Sequence, residues 1–236
     1  MGGARNDRCL HRDAQPAFRH PRRSTDGMPV ICRLSSSGRE LRRDVSGVAL
    51  IEFAIGLPFL LLIACTGIET ANYVLAHLRV SQIALTTADN AARVRIQIDE
   101  SDVNQLFQGD REIGSAIDFS QRGRVILSSL TPNAAGTGQW INWQRCLGDL
   151  DVESRYGAEG TGEEDASLQQ MGSGTHVIAA APGTAVMFVE VDYQYRSLFP
   201  SSPLDGAMIH FESAMNVRER TNQIISNVAD SDPATC

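Results

Sequence analysis

An apolar run of 21 residues at 48–68, VALIEFAIGLPFLLLIACTGI, constrains this chain more than any other feature. A helix of that length rises about 31 Å, close to the ~30 Å hydrocarbon core of a membrane. Its twelve Leu, Ile, Phe and Val residues favour insertion by roughly 4–7 kcal/mol, against roughly 2.5–3.5 kcal/mol for a carboxylate at the helix centre. Its one carboxylate, Glu52, lies nearer the end, where it can snorkel to the interface. The run therefore predicts one membrane-spanning helix, in which Pro58 is tolerated as a kink.

The arginines around the run predict its orientation. The first basic residue after it is Arg79, whereas four arginines lie within about 20 residues before it, namely Arg33, Arg39, Arg42 and Arg43. By the positive-inside rule, the N-terminus is cytoplasmic and residues 69–236 are exported. In a bacterium this predicts a single-pass inner-membrane protein with a periplasmic C-terminal domain.

Charge divides the chain at the same place. Residues 1–47 hold 10 Arg and 5 acids, and 48–236 hold 11 Arg and 23 acids, within a net charge of −7. The acidic part argues against nucleic acid as a partner, because phosphate neutralisation needs clustered basic residues. We therefore expect a basic cytoplasmic leader at 1–47, a transmembrane helix at 48–68, a periplasmic helical stalk at 69–98 and a periplasmic domain at 99–236. Met28 is an alternative start.

Periodicity predicts an α+β fold for the exported part. A helix is expected through 69–98, with a small-residue stripe for core packing, and a short helix at 102–107. Strands are expected at 124–130, 139–146, 185–196 and 208–218, the last two with clear alternation. A glycine-rich acidic stretch at 157–174 predicts a mobile, solvated loop. The long helix should pack on a small antiparallel sheet. The expected stripe is Val74, Leu78, Ser81, Leu85, Ala88 and Ala92.

The cysteines follow the same partition. Cys9 and Cys32 precede the apolar run, Cys65 lies inside it, and Cys146 and Cys236 follow it. In an oxidising periplasm the last two can form a disulfide. The alternative is one buried thiol and one terminal thiol. None of the five has metal-ligand spacing, so no metal site is expected.

Glu52 requires an explanation, because an ionisable group inside a membrane helix indicates function. No basic residue lies near it on its own helix. Cleavage after Gly47 would create a cation, the α-amino group of Val48, and would make Glu52 the fifth residue of the new chain. In a stack of similar helices that amine can pair with the glutamate of a neighbour, which favours assembly. The alternative is an interfacial carboxylate with no role.

These residues resemble the processing site of type IV prepilin-like proteins: Gly47, four apolar residues, then Glu52 and Phe53 before an apolar run. The segment from Gly47 to Arg93 is similar to the TadE-like minor pseudopilins of the Tad (Flp pilus) system. The shared pattern is Gly, Glu-Phe-Ala, Leu-Pro, a glycine, and Arg-Val-Ser…Ala-Ala-Arg. Phe53 replaces the tyrosine of the major Flp pilin, and Flp pilins are far shorter.

The resemblance implies a pseudopilin that is cut by a prepilin peptidase between Gly47 and Val48 and that helps to assemble or initiate a Tad pilus. Glu52, Phe53 and Pro58 belong to the assembly segment. The implied partners are other pilins and pseudopilins, the prepilin peptidase, the Tad inner-membrane assembly platform and membrane lipid. The Leu57-Pro58 placement and the Arg-Val-Ser segment disfavour a type II secretion pseudopilin.

Two other interpretations remain open. Leu-Ile-Ala-Cys ending at Cys65 is a passable lipobox, which would give a lipid-anchored domain, although an h-region runs ~7–15 residues without an acid. The chain could also be an anchored binding domain unrelated to pili. It has no nucleophile elbow, P-loop, HExxH or GxGxxG entering a helix. We therefore expect that the protein is not an enzyme and has no catalytic residues and no cofactor.

Overall fold

The computed structural model describes residues 46–174, 177–200 and 202–236. The predicted leader, including Met28 and two of the cysteines, lies outside these residues except for Ser46 and Gly47. The elements are α1 (Ser46–Arg93), α2 (Glu100–Gly114), α3 (Phe119–Arg122), β1 (Gly123–Pro132), β2 (Gln139–Leu147), β3 (Val186–Gln194) and β4 (Met208–Asn216). The predicted α+β class is confirmed. The chain divides after Gly56, and residues 57–236 form one compact unit.

The helix α1 continues without interruption from the apolar run into the C-terminal unit. Pro58 lies inside it, and its ring frees the carbonyl of Ala54 from the helical ladder. The helix ends at Arg93 rather than at residue 98, and Ile96 beyond it has a φ of 62°. A left-handed backbone at a β-branched residue is incompatible with helix continuation, so the chain turns there.

The buried face of α1 differs from the predicted stripe. Of the predicted members only Ala88 and Ala92 are buried, whereas Val74, Leu78 and Leu85 are about half exposed. The prediction was wrong because apolar side chains lie on more than one face of this helix, so periodicity alone does not identify the face that packs in the core. The residues that face the core are Ala76, Val80, Ile83, Ala84, Thr87, Ala88, Ala91 and Ala92.

The second helix, α2, is longer than the predicted 102–107. Asp99 caps it by accepting from the Ser101 N–H, and the Asp102 carboxylate accepts from the Asp99 N–H in return. This capping box satisfies two otherwise unpaired donors of the first turn. Val103 and Phe107 of α2 are buried in the same core as α1.

The four strands form one antiparallel sheet in the order β2-β1-β3-β4. The predicted alternation of β3 is observed, because its odd-numbered residues enter the core under the helices. Even-numbered Phe188 belongs to a second cluster on the opposite face. The odd-numbered set is Met187, Val189, Val191, Tyr193 and, just past the strand, Tyr195.

The segment between β2 and β3 covers that opposite face. Leu168 and Met171 are buried there against Ile141 and Phe188. The expectation of a fully solvated loop at 157–174 is therefore wrong at these two residues. Composition did not reveal them, because two apolar side chains are few among glycines and acids.

Candidate assembly segment and buried polar sites

The predicted processing residues lie in the first turn of α1. Gly47 and Val48 directly follow Ser46, where the helix begins. A Cβ atom added to Gly47 would meet no heavy atom within 4 Å. Packing among the described residues therefore does not require glycine at this position.

Glu52 follows one turn after Val48 and is exposed. Its neighbours at the three- and four-residue spacings are Val48, Ala49, Ile55 and Gly56, all apolar. Across 46–174, 177–200 and 202–236, no cationic side chain lies within ion-pair distance of Glu52. The segment thus presents one carboxylate, without a counter-ion, on an apolar helix.

The side chains around this carboxylate also point outward. Phe53 is 65% exposed, and Leu50 and Ile51 are similarly open. One described helix, Gly47–Arg93, is long and apolar enough to cross a membrane, with a window of mean hydropathy 2.5 of which 0% is buried. Such a surface fits single-pass membrane anchoring, since lipid or neighbouring helices would cover it.

The predicted disulfide residues lie in the C-terminal unit. The structure joins Cys146, on β2, to Cys236. The Cys146 N–H also donates to the Ala234 carbonyl at 2.7 Å. The bond therefore holds the end of the chain against the edge strand of the sheet. Cys65 on α1 carries a free thiol.

Sequence reasoning missed a carboxylate just past the apolar run. Glu69 is 6% exposed, and its oxygens accept from the Tyr195 hydroxyl at 3.1 Å and from the Leu198 N–H at 3.0 Å. The Tyr195 hydroxyl in turn accepts from the Asn72 side-chain amide at 2.8 Å. Burial raises the pKa of Tyr195, so the phenol keeps its donor proton. An acid directly after the apolar run was the only available signal in the sequence.

A second polar network lies on the covered face of the sheet. His210 on β4 places Nδ1 2.9 Å from Asp192 and Nε2 3.1 Å from Glu212. The hydrogen bond to Asp192 raises the pKa of His210. Arg155 and Tyr156 from the covering segment bind Asp192 and Glu212 respectively. Each of these polar groups is paired within the network, and no metal-type group of three His, Cys, Asp or Glu occurs in the described chain.

Comparison with known proteins concerns the N-terminal helix. Residues 47–93 match the family model described as TadE-like protein. No curated protein matches the chain, and no solved structure does. The match begins at Gly47, contains Glu52 and Pro58, and ends with α1 at Arg93. Over residues 47–93 the chain is therefore TadE-like, as the sequence predicts.

Proposed function

We propose that this protein is a minor pseudopilin that a prepilin peptidase processes and that takes part in the assembly or initiation of a Tad pilus. The observation that carries the proposal is Glu52, a carboxylate for which the described residues provide no counter-ion, one turn after Gly47 and Val48 in the TadE-like segment. The TadE-like match supports a role in Tad pilus systems. Cleavage by the peptidase and pairing between subunits are the two steps of the proposal.

The first step is cleavage of the peptide bond between Gly47 and Val48. The space around Gly47 supports recognition by the peptidase, since packing among the described residues does not need glycine there. Cleavage by water leaves a carboxylate on Gly47 and an α-amino group on Val48. It also removes the arginine-rich leader and gives the membrane helix a positive N-terminus.

The second step is pairing between subunits. An unpaired carboxylate at the centre of a membrane helix costs roughly 2.5–3.5 kcal/mol, and Glu52, nearer the end of the run, carries a smaller cost of the same kind. The new Val48 amine of a neighbouring pilin or pseudopilin supplies a cation within an apolar environment, where an ion pair is strong. Both charged groups are stabilised by this ion pair only when helices assemble. The pair therefore favours assembly over the dispersed monomer.

The exposed face of α1 beyond the apolar run supports helix contacts of the same kind. Leu75, Leu78 and Leu85 are 53%, 59% and 52% exposed, respectively. Their spacings of three and seven residues place them in one seam of the helix. Phe53 and Pro58 belong to the part of α1 that would contact neighbouring helices within the membrane. The C-terminal domain would cap the assembly or recruit other subunits.

The proposal includes the location and the partners. Arginines before the apolar run support a cytoplasmic leader and an exported domain, hence the bacterial inner membrane and the periplasm. The partners are pilins and other pseudopilins, the prepilin peptidase, the Tad assembly platform and membrane lipid, without nucleic acid. The protein acts by interaction, with no catalytic activity and no cofactor.

The test is replacement of Glu52 in the full chain, with Leu50→Ala as the matched control on the same turn. Glu52→Ala should keep the protein in the membrane after alkaline extraction, because removal of the charge favours insertion. It should nevertheless abolish pili, counted by electron microscopy, while Leu50→Ala retains them. Normal piliation in Glu52→Ala cells would contradict the proposed pairing.

A further inference from the structure

The loop between β3 and β4 is fastened to α1 at the end of the apolar run. Its anchor is Glu69, which accepts from the Leu198 N–H and lies 3.4 Å from the Ser202 hydroxyl. Tyr195, where the loop leaves the sheet, donates to the same carboxylate. Glu69 is 6% exposed and has three partners on the loop. It therefore fixes the position of the loop along the helix axis.

The tip of the loop lies beside the last residues of the apolar run. The loop residues Phe199 and Pro200 line a cleft of about 560 Å³ together with Leu62, Cys65 and Thr66 of α1. Thr66 and Leu62 precede Glu69 by three and seven residues, or roughly 4.5 and 10.5 Å of helix rise. If residues 48–68 cross the hydrocarbon core, the tip of the loop lies beside the last two turns of the span. The loop then occupies the same layer as lipid.

The backbone of the loop suits that layer, where each polar group needs a partner inside the protein. Pro200 and Pro203 have no N–H. Four of the five remaining described N–H groups of the tip are paired internally: the Ser197 N–H binds Asp205, the Leu198 N–H binds Glu69, the Ser202 N–H binds the Phe199 carbonyl, and the Leu204 N–H binds the Ser202 hydroxyl.

The outer surface of the loop is apolar and continues that of the helix. Leu198 is 55% exposed, and Pro200 and Pro203 are also exposed. On the helix, Leu62 and Ile63 are 66% and 71% exposed at the same level. An apolar surface at a membrane is typically buried ~5–10 Å into the boundary between headgroups and acyl chains.

We propose that residues 197–200 and 202–204 insert into the lipid leaflet at the C-terminal end of the span, with an acyl chain in the cleft against α1. The occupant is lipid because the cleft opens at the depth of the hydrocarbon, where a protein partner would first have to displace lipid. The loop then acts as a second membrane contact that sets the height of the folded domain. This inference rests on the membrane anchor and not on pilus assembly, since it holds for cut and uncut chains.

The experiment places an environment-sensitive fluorophore on the loop of the full chain in phosphatidylcholine–phosphatidylglycerol vesicles. The label is attached at Leu198→Cys, in a background with Cys9→Ala, Cys32→Ala and Cys65→Ala and without reductant, so that the disulfide cysteines do not react. Ala135→Cys is the matched control. It lies in the exposed β1–β2 turn, at the end of the sheet opposite the β3–β4 loop.

The label at position 198 should emit at shorter wavelength, lose intensity with acyl-chain-brominated lipid, and resist aqueous iodide. The label at position 135 should show the reverse. Glu69→Ala should increase iodide quenching at position 198 while the protein stays membrane-bound after alkaline extraction. Equal iodide quenching of the two labels would overturn the proposal. So would protection of position 198 from both quenchers, or protection that disappears on dilution with lipid, because a second copy would then cover the loop.

Discussion

The guanidinium of Arg145 on β2 contacts both carboxylate oxygens of Glu100 in the first turn of α2, with Nε 3.0 Å from each. The two side chains are 9% and 4% exposed. The hydrogen bond with Glu100 raises the pKa of Arg145, so the guanidinium keeps its charge. This contact joins the helical layer to the sheet across 45 residues of sequence.

Glu100→Gln should destabilise the protein by about 3 kcal/mol, because removal of one partner leaves a buried charge. The lower end of the usual range applies, since Glu159 also contacts Arg145 at 3.1 Å. The measurement is urea unfolding of the full chain in detergent. The matched control is Glu219→Gln at the exposed Arg95 pair, which should change stability by less than about 0.5 kcal/mol. Equal effects of the two variants would contradict this account.

Asp110 gives a pH-dependent prediction. Its carboxyl lies 2.7 Å from the Thr87 hydroxyl, and burial raises its pKa from 3.8 to about 7. The folded state therefore binds more protons than the unfolded state between about pH 4 and 7, and this group lowers the unfolding free energy as pH rises through that interval. The loss is complete above about pH 7.

Asp110→Asn keeps the polar contact with Thr87 but cannot ionise. The variant should be more stable than the wild type at pH 8, and the difference should vanish near pH 4. Urea unfolding at several pH values checks it. The control is Asp232→Asn, an exchange of the same kind in the C-terminal tail, which should leave the pH profile unchanged. A wild type with a higher free energy of unfolding than Asp110→Asn at pH 8 would contradict this prediction.

Thiol counting reports on the disulfide and on processing together. In unreduced, denatured protein the bonded chain should expose one thiol, Cys65, once the leader is removed, and three while it is present. Without the bond the counts become three and five, and intact mass distinguishes the two cases with three thiols. A count of three on a processed chain would contradict the bond.

Cys146→Ser should lower the free energy of unfolding by about 2–4 kcal/mol, because the C-terminal end is then released from the sheet.

The local part of this architecture could be predicted from the sequence. The apolar run predicts the first half of α1, and alternation places Val189 and Val191 on the core face of β3. Charge and spacing singled out Glu52. These features depend on residues within a few turns of one another, which is the range over which periodicity carries information.

The rest depends on contacts between distant residues. Glu69 and Tyr195 are 126 residues apart, and Thr87 and Asp110 belong to different helices. Which face of α1 enters the core was predicted wrongly for the same reason. Apolar Leu78 and Leu85 satisfied the helical period but are about half exposed, whereas Ala84 and Ala88 are buried in one core with residues of the sheet.

Gly47→Ala tests recognition at the proposed cleavage site. A Cβ at Gly47 meets no heavy atom of the described residues within 4 Å, and the same holds for Gly56, nine residues further along the helix. Both alanine variants should therefore fold and insert like the wild type. Gly47→Ala should slow or abolish removal of the leader, seen as a mobility shift on gels, whereas Gly56→Ala should be cut normally. Identical processing of the two variants would remove the case for recognition of Gly47.

The N-terminal sequence of the protein isolated from piliated cells tests the central claim most directly. The account predicts a free α-amino group on Val48, followed by Ala-Leu-Ile-Glu, and loss of this species in cells that lack the prepilin peptidase. An intact arginine-rich leader in those piliated cells, or a blocked N-terminus at Cys65, would contradict it.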